Sequence, residues 1–152
     1  MQIVNFEPRH AQAWKQLNEA WITQLFKIEP KDREVLDHPK AKILDHGGHI
    51  FMAEAEAGGE AIGCAALIAL PDGGFEVAKM TVSEAARGTG LGRLLMAACI
   101  DRARALGAPR LYLETNSSLA PALGLYEAMG FVHLPPRETP YARADVWMEL
   151  IL

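Results

Sequence analysis

The sequence has few cysteines and no long apolar run, and both shortages exclude classes of protein. Its two cysteines, Cys64 and Cys99, stand far apart without C-x-x-C spacing, so we expect small core residues of a reducing compartment. No run approaches the roughly 18 apolar residues that span a bilayer, and the longest, residues 64–70, has the length of a buried strand. The N-terminus lacks the basic, apolar and small-residue order of a secretory signal, so we expect a cytoplasmic location.

The chain also lacks a surplus of basic residues. Its formal net charge is −4 and its pI is near 5.7, which opposes the basic patch that nucleic-acid binding requires. The histidines show no metal-ligand spacing, since even His46 and His49 are separated by a predicted turn at Gly47-Gly48. We therefore expect no metal, no nucleic acid and no membrane among the partners of this protein.

The first half of the chain predicts a strand, two helices and three further strands. At 152 residues, of which 50% are hydrophobic, the chain can form one domain over residues 1–152 with a core of its own. The second helix is expected to be capped by Asp32. The predicted strands cover residues 3–6, 49–56, 61–70 and 75–82, and the predicted helices cover residues 9–27 and 32–36.

The second half changes to alternating helices and strands. A helix over residues 91–106 precedes a strand over residues 110–115, a second helix opened by Pro121 and a last strand over residues 145–150. Three prolines are expected to keep residues 133–141 out of regular structure. The order βααβββαβαββ predicts an α/β fold with a mixed, mostly antiparallel sheet flanked by helices.

A glycine-rich segment, Arg87-Gly88-Thr89-Gly90-Leu91-Gly92, lies between a strand and a long helix. Its glycines permit a sharp turn that presents several backbone N–H groups, and the helix N-terminus adds unpaired N–H groups and its dipole. Arg87 adds a charge that can bind a phosphate through two hydrogen bonds. We therefore predict a site for a phosphorylated cofactor. The alternative is that the glycines serve only the conformation of the turn.

Spacing separates the known phosphate-binding motifs. The dinucleotide fingerprint requires a glycine where Arg93 stands, and the Gly-Lys-Ser or Gly-Lys-Thr triplet of the Walker loop is absent. The remaining pattern, Arg-x-x-Gly-x-Gly, resembles the acetyl-CoA pyrophosphate loop of the GNAT superfamily of N-acetyltransferases. Residues 125–131, in which Tyr126 precedes a Gly-Phe turn, resemble the second signature of that family, in the same order and at a similar separation.

The resemblance implies an acetyltransferase with the family's fold and with acetyl-CoA as the acyl donor. Many members carry an asparagine seven residues before the tyrosine, where this chain has Leu119. Asn116 either replaces that cofactor contact or caps the turn between strand and helix. The resemblance also leaves room for a homodimer. The residues expected to flank the pantetheine arm are Met80, Thr81 and Val82, and those expected around the pyrophosphate are Arg87, Gly88, Gly90, Leu91, Gly92 and Arg93.

Direct acetyl transfer to an amine needs a base for the amine and an acid for the departing thiolate. Tyr126 matches the family's acid, and its alternative role is that of a core tyrosine. Glu76 is expected on the same strand face as Ala78, Met80 and Val82, where these apolar neighbours would raise its pKa. The alternative is a solvated strand end. Glu114 is the second candidate base, unless an ion pair with an arginine accounts for it.

The acceptor is expected to be a small primary amine that bears a carboxylate. Arg143 would bind the carboxylate, with Tyr141 and Trp21 as walls of the pocket, because these residues come from regions that border the acceptor in the family. An ion pair with Asp145 is the alternative for Arg143. A different class of function is a degenerate acyl-CoA-binding sensor or regulatory module without turnover. A nucleotide-binding domain of another kind is disfavoured by the two absent motifs.

Overall fold

The computed structural model describes residues 1–152 and contains seven strands and five helices. Three short 3-10 turns accompany them, at Pro8–His10, Leu44–His46 and Glu84–Ala86. The strands are β1 (Gln2–Asn5), β2 (His49–Glu54), β3 (Ala61–Ala69), β4 (Phe75–Val82), β5 (Arg110–Thr115), β6 (Val132–Leu134) and β7 (Val146–Ile151). The helices are α1 (Ala11–Leu25), α2 (Pro30–Asp37), α3 (Pro39–Lys42), α4 (Leu91–Ala105) and α5 (Ala120–Ala128).

All seven strands form one sheet in the order β1-β2-β3-β4-β5-β7-β6. Neighbouring strands are antiparallel except β4 and β5, which are parallel. This arrangement confirms the predicted fold class. The prediction that residues 133 and 134 lie outside regular structure is wrong, because β6 pairs with β7 until Leu134, before the first of the three prolines. None of the five helices combines the length and the apolar character that a bilayer span requires.

Helix α2 begins with a capping box. Glu29 is the N-cap, Pro30 occupies the first helical position, and the backbone N–H of Glu29 donates to Asp32 Oδ2 at 2.8 Å. Asp32 is therefore the third residue of the helix, and the prediction that Asp32 caps this helix is wrong. The difference arises because proline fits the first turn, where its missing N–H has no partner to lose. In this position Asp32 is fully buried.

The two faces of the sheet carry separate hydrophobic cores. One core contains side chains of α4 and α5, and the other contains side chains of α1 and α2. Cys99 belongs to the first core and Cys64 to the second, and both are buried and unpaired, as predicted. We refer to these faces as the α4 face and the α1 face. Strand β3 contributes to both cores, because Ala65 and Leu67 belong to the first and Cys64 and Ala66 belong to the second.

A β-bulge interrupts the pairing of β3 with β4. The register shifts between Cys64 and Ala66, so that Ala65 lies opposite both Lys79 and Met80. Lys79 is the one residue other than glycine with a positive φ, at 53°. That value lies in the left-handed region, which residues other than glycine rarely adopt. The bulge therefore places an unusual backbone conformation in the middle of β4.

The bulge reverses the alternation of side chains along β4. Glu76 pairs with Ile68, which packs on the α1 face, whereas Met80 and Val82 pack against the core of the α4 face. The prediction that Glu76 shares a face with Met80 and Val82 is therefore wrong. Glu76 instead shares the α1 face with Lys79, whose ammonium group contacts helix α2.

Strands β4 and β5 pair only at their beginnings. The pairs are Phe75 with Leu111 and Glu76 with Tyr112. Beyond them the two strands separate, while β5 stays paired with β7 as far as Thr115. A gap thus opens in the middle of the sheet, towards the carboxyl ends of both parallel strands.

Candidate active site

The gap between β4 and β5 is part of a cleft of about 840 Å³. Trp21 of α1 and Tyr126 of α5 also line this cleft, whereas Asn116, Tyr141 and Arg143 do not. The remaining residues that were expected to contact the cofactor all line it: Met80, Thr81, Val82, Arg87, Gly88, Gly90, Leu91, Gly92 and Arg93. The residues that line the cleft include both the glycine loop and the bulge of β4.

The glycine loop needs its glycines for backbone conformation. Gly88 and Gly90 have φ values of 78° and 85°, and a Cβ on either would meet nothing within 4 Å. Gly90 is the N-cap of α4, and no side chain caps this helix. The N–H groups of its first turn, from Leu91 to Arg93, have no partner within the helix and can therefore bind an anion.

Positive charge accompanies these N–H groups. Arg87 follows the 3-10 turn at Glu84–Ala86, Arg93 lies in the first turn of α4, and both line the cleft. Between them, the Thr89 hydroxyl donates to the carbonyl oxygen of Ala86 and fixes the loop. Guanidinium groups beside free N–H groups suit the charge and geometry of phosphate. This end of the cleft is thus complementary to a pyrophosphate.

Tyr126 belongs both to the core and to the wall of the cleft. Its side chain is 8% exposed, and its ring packs against Phe131 with the centroids 6.1 Å apart. Burial raises the pKa of Tyr126 to about 12. The hydroxyl is therefore protonated at neutral pH and can donate a proton or a hydrogen bond into the cleft.

Glu76 lies where β4 and β5 part, one residue before the stretch of β4 that lines the cleft. Burial, and secondly the negative charge of Glu114, raise the pKa of Glu76 to about 7. The raised pKa agrees with the expectation for this residue. Of the three apolar neighbours predicted for it, Ala78 shares its face, whereas Met80 and Val82 lie on the other face. A carboxyl group with such a pKa can exchange protons near neutral pH.

Glu114 lines the cleft from β5 and is bound by hydroxyl groups. Tyr112 Oη donates to one of its carboxylate oxygens at 2.8 Å, and the Thr139 hydroxyl donates to the other. The salt bridges of this region involve neither Glu114 nor Glu76. The predicted alternative for Glu114, an ion pair with an arginine, is therefore wrong.

A buried ionic cluster lies beside Glu76 on the α1 face. Asp32 Oδ1 is 2.6 Å from Lys79 Nζ, and Asp32 forms a bidentate pair with Arg143 at 2.7 and 2.8 Å. Burial alone would raise the pKa of Asp32, but the hydrogen bonds from Arg143 and Lys79 hold it well below its usual range. Asp32 is thus a carboxylate that joins helix α2 to β4 and to the loop before β7.

The cluster changes the expected role of Arg143. Its partners are Asp32 and, at 3.2 Å, Glu29, whereas Asp145 accepts hydrogen bonds from Ser117 instead. Two carboxylates therefore balance the charge of Arg143, and the free positive charge on which carboxylate binding depends is missing. The predicted alternative for Arg143 was an ion pair with Asp145. Arg143 does form ion pairs, but with Asp32 and Glu29.

Tyr141 joins the same cluster. Lys79 Nζ donates to its hydroxyl at 3.2 Å, and Arg143 Cζ lies 4.6 Å from the centroid of its ring. The ring thus packs on the cations of the cluster, next to the cleft but outside its lining. Trp21 alone of the three residues expected at the acceptor contributes directly to the cleft.

Asn116 has a structural role. Its Nδ2 donates to the carbonyl oxygen of Arg143 at 2.6 Å, and its Oδ1 accepts from the backbone N–H and the hydroxyl of Ser118. Both ends of the amide are thus engaged in the turn between β5 and α5. This geometry favours the capping alternative over the cofactor contact.

Asp32 and Lys79 were not predicted as members of the site. Lys79 carried one signal, because a lysine stood in the interior of a predicted strand, between the apolar residues Ala78 and Met80. A buried lysine requires a carboxylate partner, and that reasoning could have prompted a search for one. The sequence offered no means of selecting Asp32, which is 47 positions away.

The family model of the acetyltransferase (GNAT) family matches residues 13–131. The chain belongs to the GNAT acetyltransferase family. The matched range includes the whole glycine loop, the bulge of β4 and Tyr126. Membership confirms the predicted class of enzyme, an acetyltransferase, and the family's acyl donor is acetyl-CoA.

Two curated relatives are similar over part of their length. The uncharacterized N-acetyltransferase YjgM of Escherichia coli is 32% identical over 96 residues, which cover 61% of this chain and 57% of YjgM. The amino-acid acetyltransferase of Ralstonia nicotianae is 32% identical over 123 residues, which cover 79% of this chain and 24% of that enzyme. This GNAT chain thus corresponds to a part of each relative.

Solved structures of GNAT proteins share the fold over almost the whole chain. A GNAT acetyltransferase from Staphylococcus aureus aligns with a TM-score of 0.86 at 19% identity, covering 97% of this chain and 96% of its own. YncA from Salmonella typhimurium, solved with its cofactor acetyl-CoA, aligns with a TM-score of 0.78 at 22% identity, covering 99% and 93%. At these low sequence identities, the structural similarity shows a shared fold and nothing further.

Proposed function

We propose that this GNAT protein transfers the acetyl group of acetyl-CoA directly to a small primary amine. The observation that carries the proposal is that the glycine loop, Tyr126 and the separated parts of β4 and β5 all line one cleft. Such a cleft holds a long cofactor at one end and exposes its thioester near a proton donor. The amine would reach the thioester from the α1 face.

In this proposal the loop binds the pyrophosphate of the cofactor. The N–H groups at the start of α4 and the guanidinium groups of Arg87 and Arg93 supply the donors. The pantetheine arm would lie along Met80, Thr81 and Val82, in the gap that unpaired β4 leaves beside β5. Unpaired strand backbone can hydrogen-bond to the amide groups of this arm, because its N–H and C=O groups need partners.

Tyr126 would act as the acid. When the C–S bond breaks, charge develops on sulfur, and a protonated phenol that faces the cleft can neutralise it. Burial keeps the hydroxyl protonated, since it raises the pKa of Tyr126 to about 12. The phenol then recovers a proton from the newly formed amide nitrogen, and the reaction needs no other acid.

Glu76 would act as the base. An amine reaches the site mainly as an ammonium ion and must lose a proton before it can attack the thioester carbonyl. Glu76 has a pKa of about 7 and lies just outside the cleft lining, so transfer through a water molecule fits its position. Above neutral pH the carboxylate would be ready to receive the proton.

The acceptor is the least constrained part of the proposal. The name of the Ralstonia relative, an amino-acid acetyltransferase, favours the carboxylate-bearing amine that was expected from the sequence. Against this acceptor stands Arg143, whose charge Asp32 and Glu29 already balance. We therefore retain a small primary amine and leave the carboxylate out of the proposal.

Replacement of Tyr126 by phenylalanine tests the catalytic role. The variant should bind acetyl-CoA with an unchanged dissociation constant in calorimetric titration, because the ring stays packed on Phe131. Its kcat should fall by about 10²-fold or more, since one donor to a developing charge is lost. Equal turnover in the variant and the parent would show that Tyr126 is only a core residue. If acetyl-CoA binds to the parent protein without turnover of any amine, the domain is a sensor.

A further inference from the structure

The charges of the buried ionic cluster on the α1 face balance one another. Buried Lys79 and half-buried Arg143 are both bound to Asp32, with Glu29 as a second partner of Arg143. Two cations thus meet two carboxylates at 2.6 to 3.2 Å. This cluster is neutral as a whole and offers an incoming molecule little net charge.

Two further carboxyl groups, Glu76 and Glu114, have no such partners. They lie on adjacent strands of the α1 face, where Glu76 is opposite Tyr112 and Glu114 follows two residues later. Strand spacing and rise place their Cα atoms about 8 Å apart. Glu114 accepts hydrogen bonds from Tyr112 and Thr139, which are neutral donors. The unbalanced charge on this side of the cleft is therefore negative.

No other cation forms a salt bridge with Glu76 or Glu114. The charge of Lys31 acts on Glu76, but Lys31 is exposed and paired with Glu34 at 3.2 Å. Arg110 is paired with Asp72 and Glu149, and its guanidinium lies 5.5 Å from the ring centroid of Tyr112. Arg137 is exposed, stacks on the ring of Tyr112 at the same distance and donates to a backbone carbonyl. Neither forms a salt bridge with Glu114.

We propose that the acceptor is a short diamine whose non-reacting ammonium group is bound by Glu114. Glu114 is then the residue that selects the acceptor. The carboxylate can accept up to about four hydrogen bonds, of which the two hydroxyl groups take two. It lines the cleft and is partly accessible, so an ammonium group can reach it. This inference rests on the proposed acetyltransferase function and specifies its acceptor.

The reaction balances with the residues already described. The reacting ammonium group passes one proton through Glu76 to solvent, and its nitrogen then attacks the thioester carbonyl carbon. The C–N bond forms, the C–S bond breaks, and Tyr126 gives its proton to sulfur. The nitrogen loses its second proton, which restores Tyr126. The products are the monoacetylated diamine, free coenzyme A and one released proton, while the second ammonium group stays on Glu114.

Three amines of matched length test the charge preference. They are 1,4-diaminobutane, pentylamine and 5-aminopentanoate, which carry an ammonium, a methyl and a carboxylate group at the same position. At low ionic strength, where charges are least screened, the diamine should exceed pentylamine in kcat/KM by about tenfold, the factor that corresponds to about 1.4 kcal/mol. The aminopentanoate should be the poorest acceptor. Equal use of the diamine and pentylamine, or a preference for the carboxylate, would overturn the inference.

Glu114→Gln separates recognition from acid–base catalysis. Glutamine keeps one oxygen that accepts from one hydroxyl group, and its Nε2 can donate to the other hydroxyl group, so both local contacts can persist with one of them reversed. We expect KM for the diamine to rise about tenfold relative to KM for pentylamine, since only the diamine loses ground-state binding of an ammonium group. Any change in Glu76 that follows loss of the Glu114 charge acts on both amines alike. Glu114→Asp should recover part of the preference for the diamine. A fall in kcat that is equal for all three amines, with no change in the ratio of their KM values, would assign Glu114 to acid–base catalysis and overturn its role in recognition.

The failure of the proposed function has a different signature. If the parent protein binds acetyl-CoA but acetylates none of the three amines, the acetyltransferase proposal and this inference fail together. If pentylamine is acetylated as efficiently as the diamine, the acetyltransferase proposal holds and only the inference that the acceptor is a diamine fails. Retention of the parent circular dichroism spectrum and unfolding midpoint by both Glu114 variants would tie the altered KM to binding.

Discussion

Replacement of Glu76 by glutamine should stabilise this protein above neutral pH and leave its stability unchanged in acid. Burial and the charge of Glu114 raise the pKa of Glu76 to about 7, whereas an unfolded chain has a glutamate pKa of about 4.3. The folded state therefore holds this proton more tightly than the unfolded state. Between pH 4.3 and pH 7 the glutamate ionises in the unfolded chain but not in the folded protein, so the folded state loses stability relative to the unfolded state, and above pH 7 the loss is complete.

The size of the effect follows from the two pKa values. Their difference, at about 1.4 kcal/mol for each pH unit, gives an upper limit of about 3 to 4 kcal/mol for the ionisation of Glu76 in the folded protein. Glutamine has nearly the same shape and never ionises, so the variant avoids this cost. At pH 4 and below both side chains are neutral, and the free energies of unfolding should agree.

The assay is urea unfolding followed by tryptophan fluorescence at several pH values between 4 and 8.5. Trp14 is fully buried and reports on the core of the α1 face. The variant should match the parent at pH 4 and exceed it increasingly until about pH 7.5. Glu56→Gln is the matched control, because Glu56 is exposed on a turn and its replacement should change little at any pH. A stabilisation that is the same at pH 4 and pH 8, or a variant less stable at pH 8, would refute the reasoning.

The remaining predictions concern the ionic cluster and the loop. Asp32→Asn leaves Lys79 without its carboxylate and should lower the free energy of unfolding by about 3–5 kcal/mol in urea titration. Asp45→Asn, at an exposed pair with Lys40, should cost less than about 1 kcal/mol, and similar losses in both variants would contradict the account. Gly90→Asp should abolish binding of acetyl-CoA in calorimetric titration while the fold survives, because it puts a negative charge at an anion site and a side chain at φ 85°. Unchanged affinity would refute the assignment of the loop.

The parts of the fold that depend on local sequence were predictable. The element order followed from apolar periodicity, and the glycine loop followed from residues that adopt positive φ before a helix without a side-chain cap. Tyr126 followed from the segment around it. In each case the physical cause lies within a few neighbouring residues, so the sequence displays it directly.

The parts that depend on contacts between distant segments were not predictable. The bulge at Lys79 arises from the register of β4 against β3, and no glycine marks the position of its left-handed residue. This single insertion moved Glu76 to the opposite face from Met80 and Val82. The faces of strand residues beyond a bulge cannot be derived from alternation alone.

The ionic cluster was hidden for the same reason. Asp32 meets Lys79 across 47 positions and Arg143 across 111 positions, so the pairing exists only in the folded chain. Arg143 was predicted to bind a carboxylate of the acceptor. A guanidinium group that is removed from water first requires carboxylate partners within the protein, and Asp32 and Glu29 supply them. Glu114 likewise found hydroxyl partners, on the neighbouring Tyr112 and on Thr139 of the loop that precedes β7.

The central claim is that the cleft carries an acetyl group from acetyl-CoA to an amine. The most direct measurement mixes the protein with acetyl-CoA and 1,4-diaminobutane at pH 8, and follows free thiol and the mass of the amine together. The account predicts thiol release that requires the amine and equals, mole for mole, the acetylated amine formed. Thiol release without an amine product, or tight binding of acetyl-CoA with no thiol release for any primary amine, would contradict it.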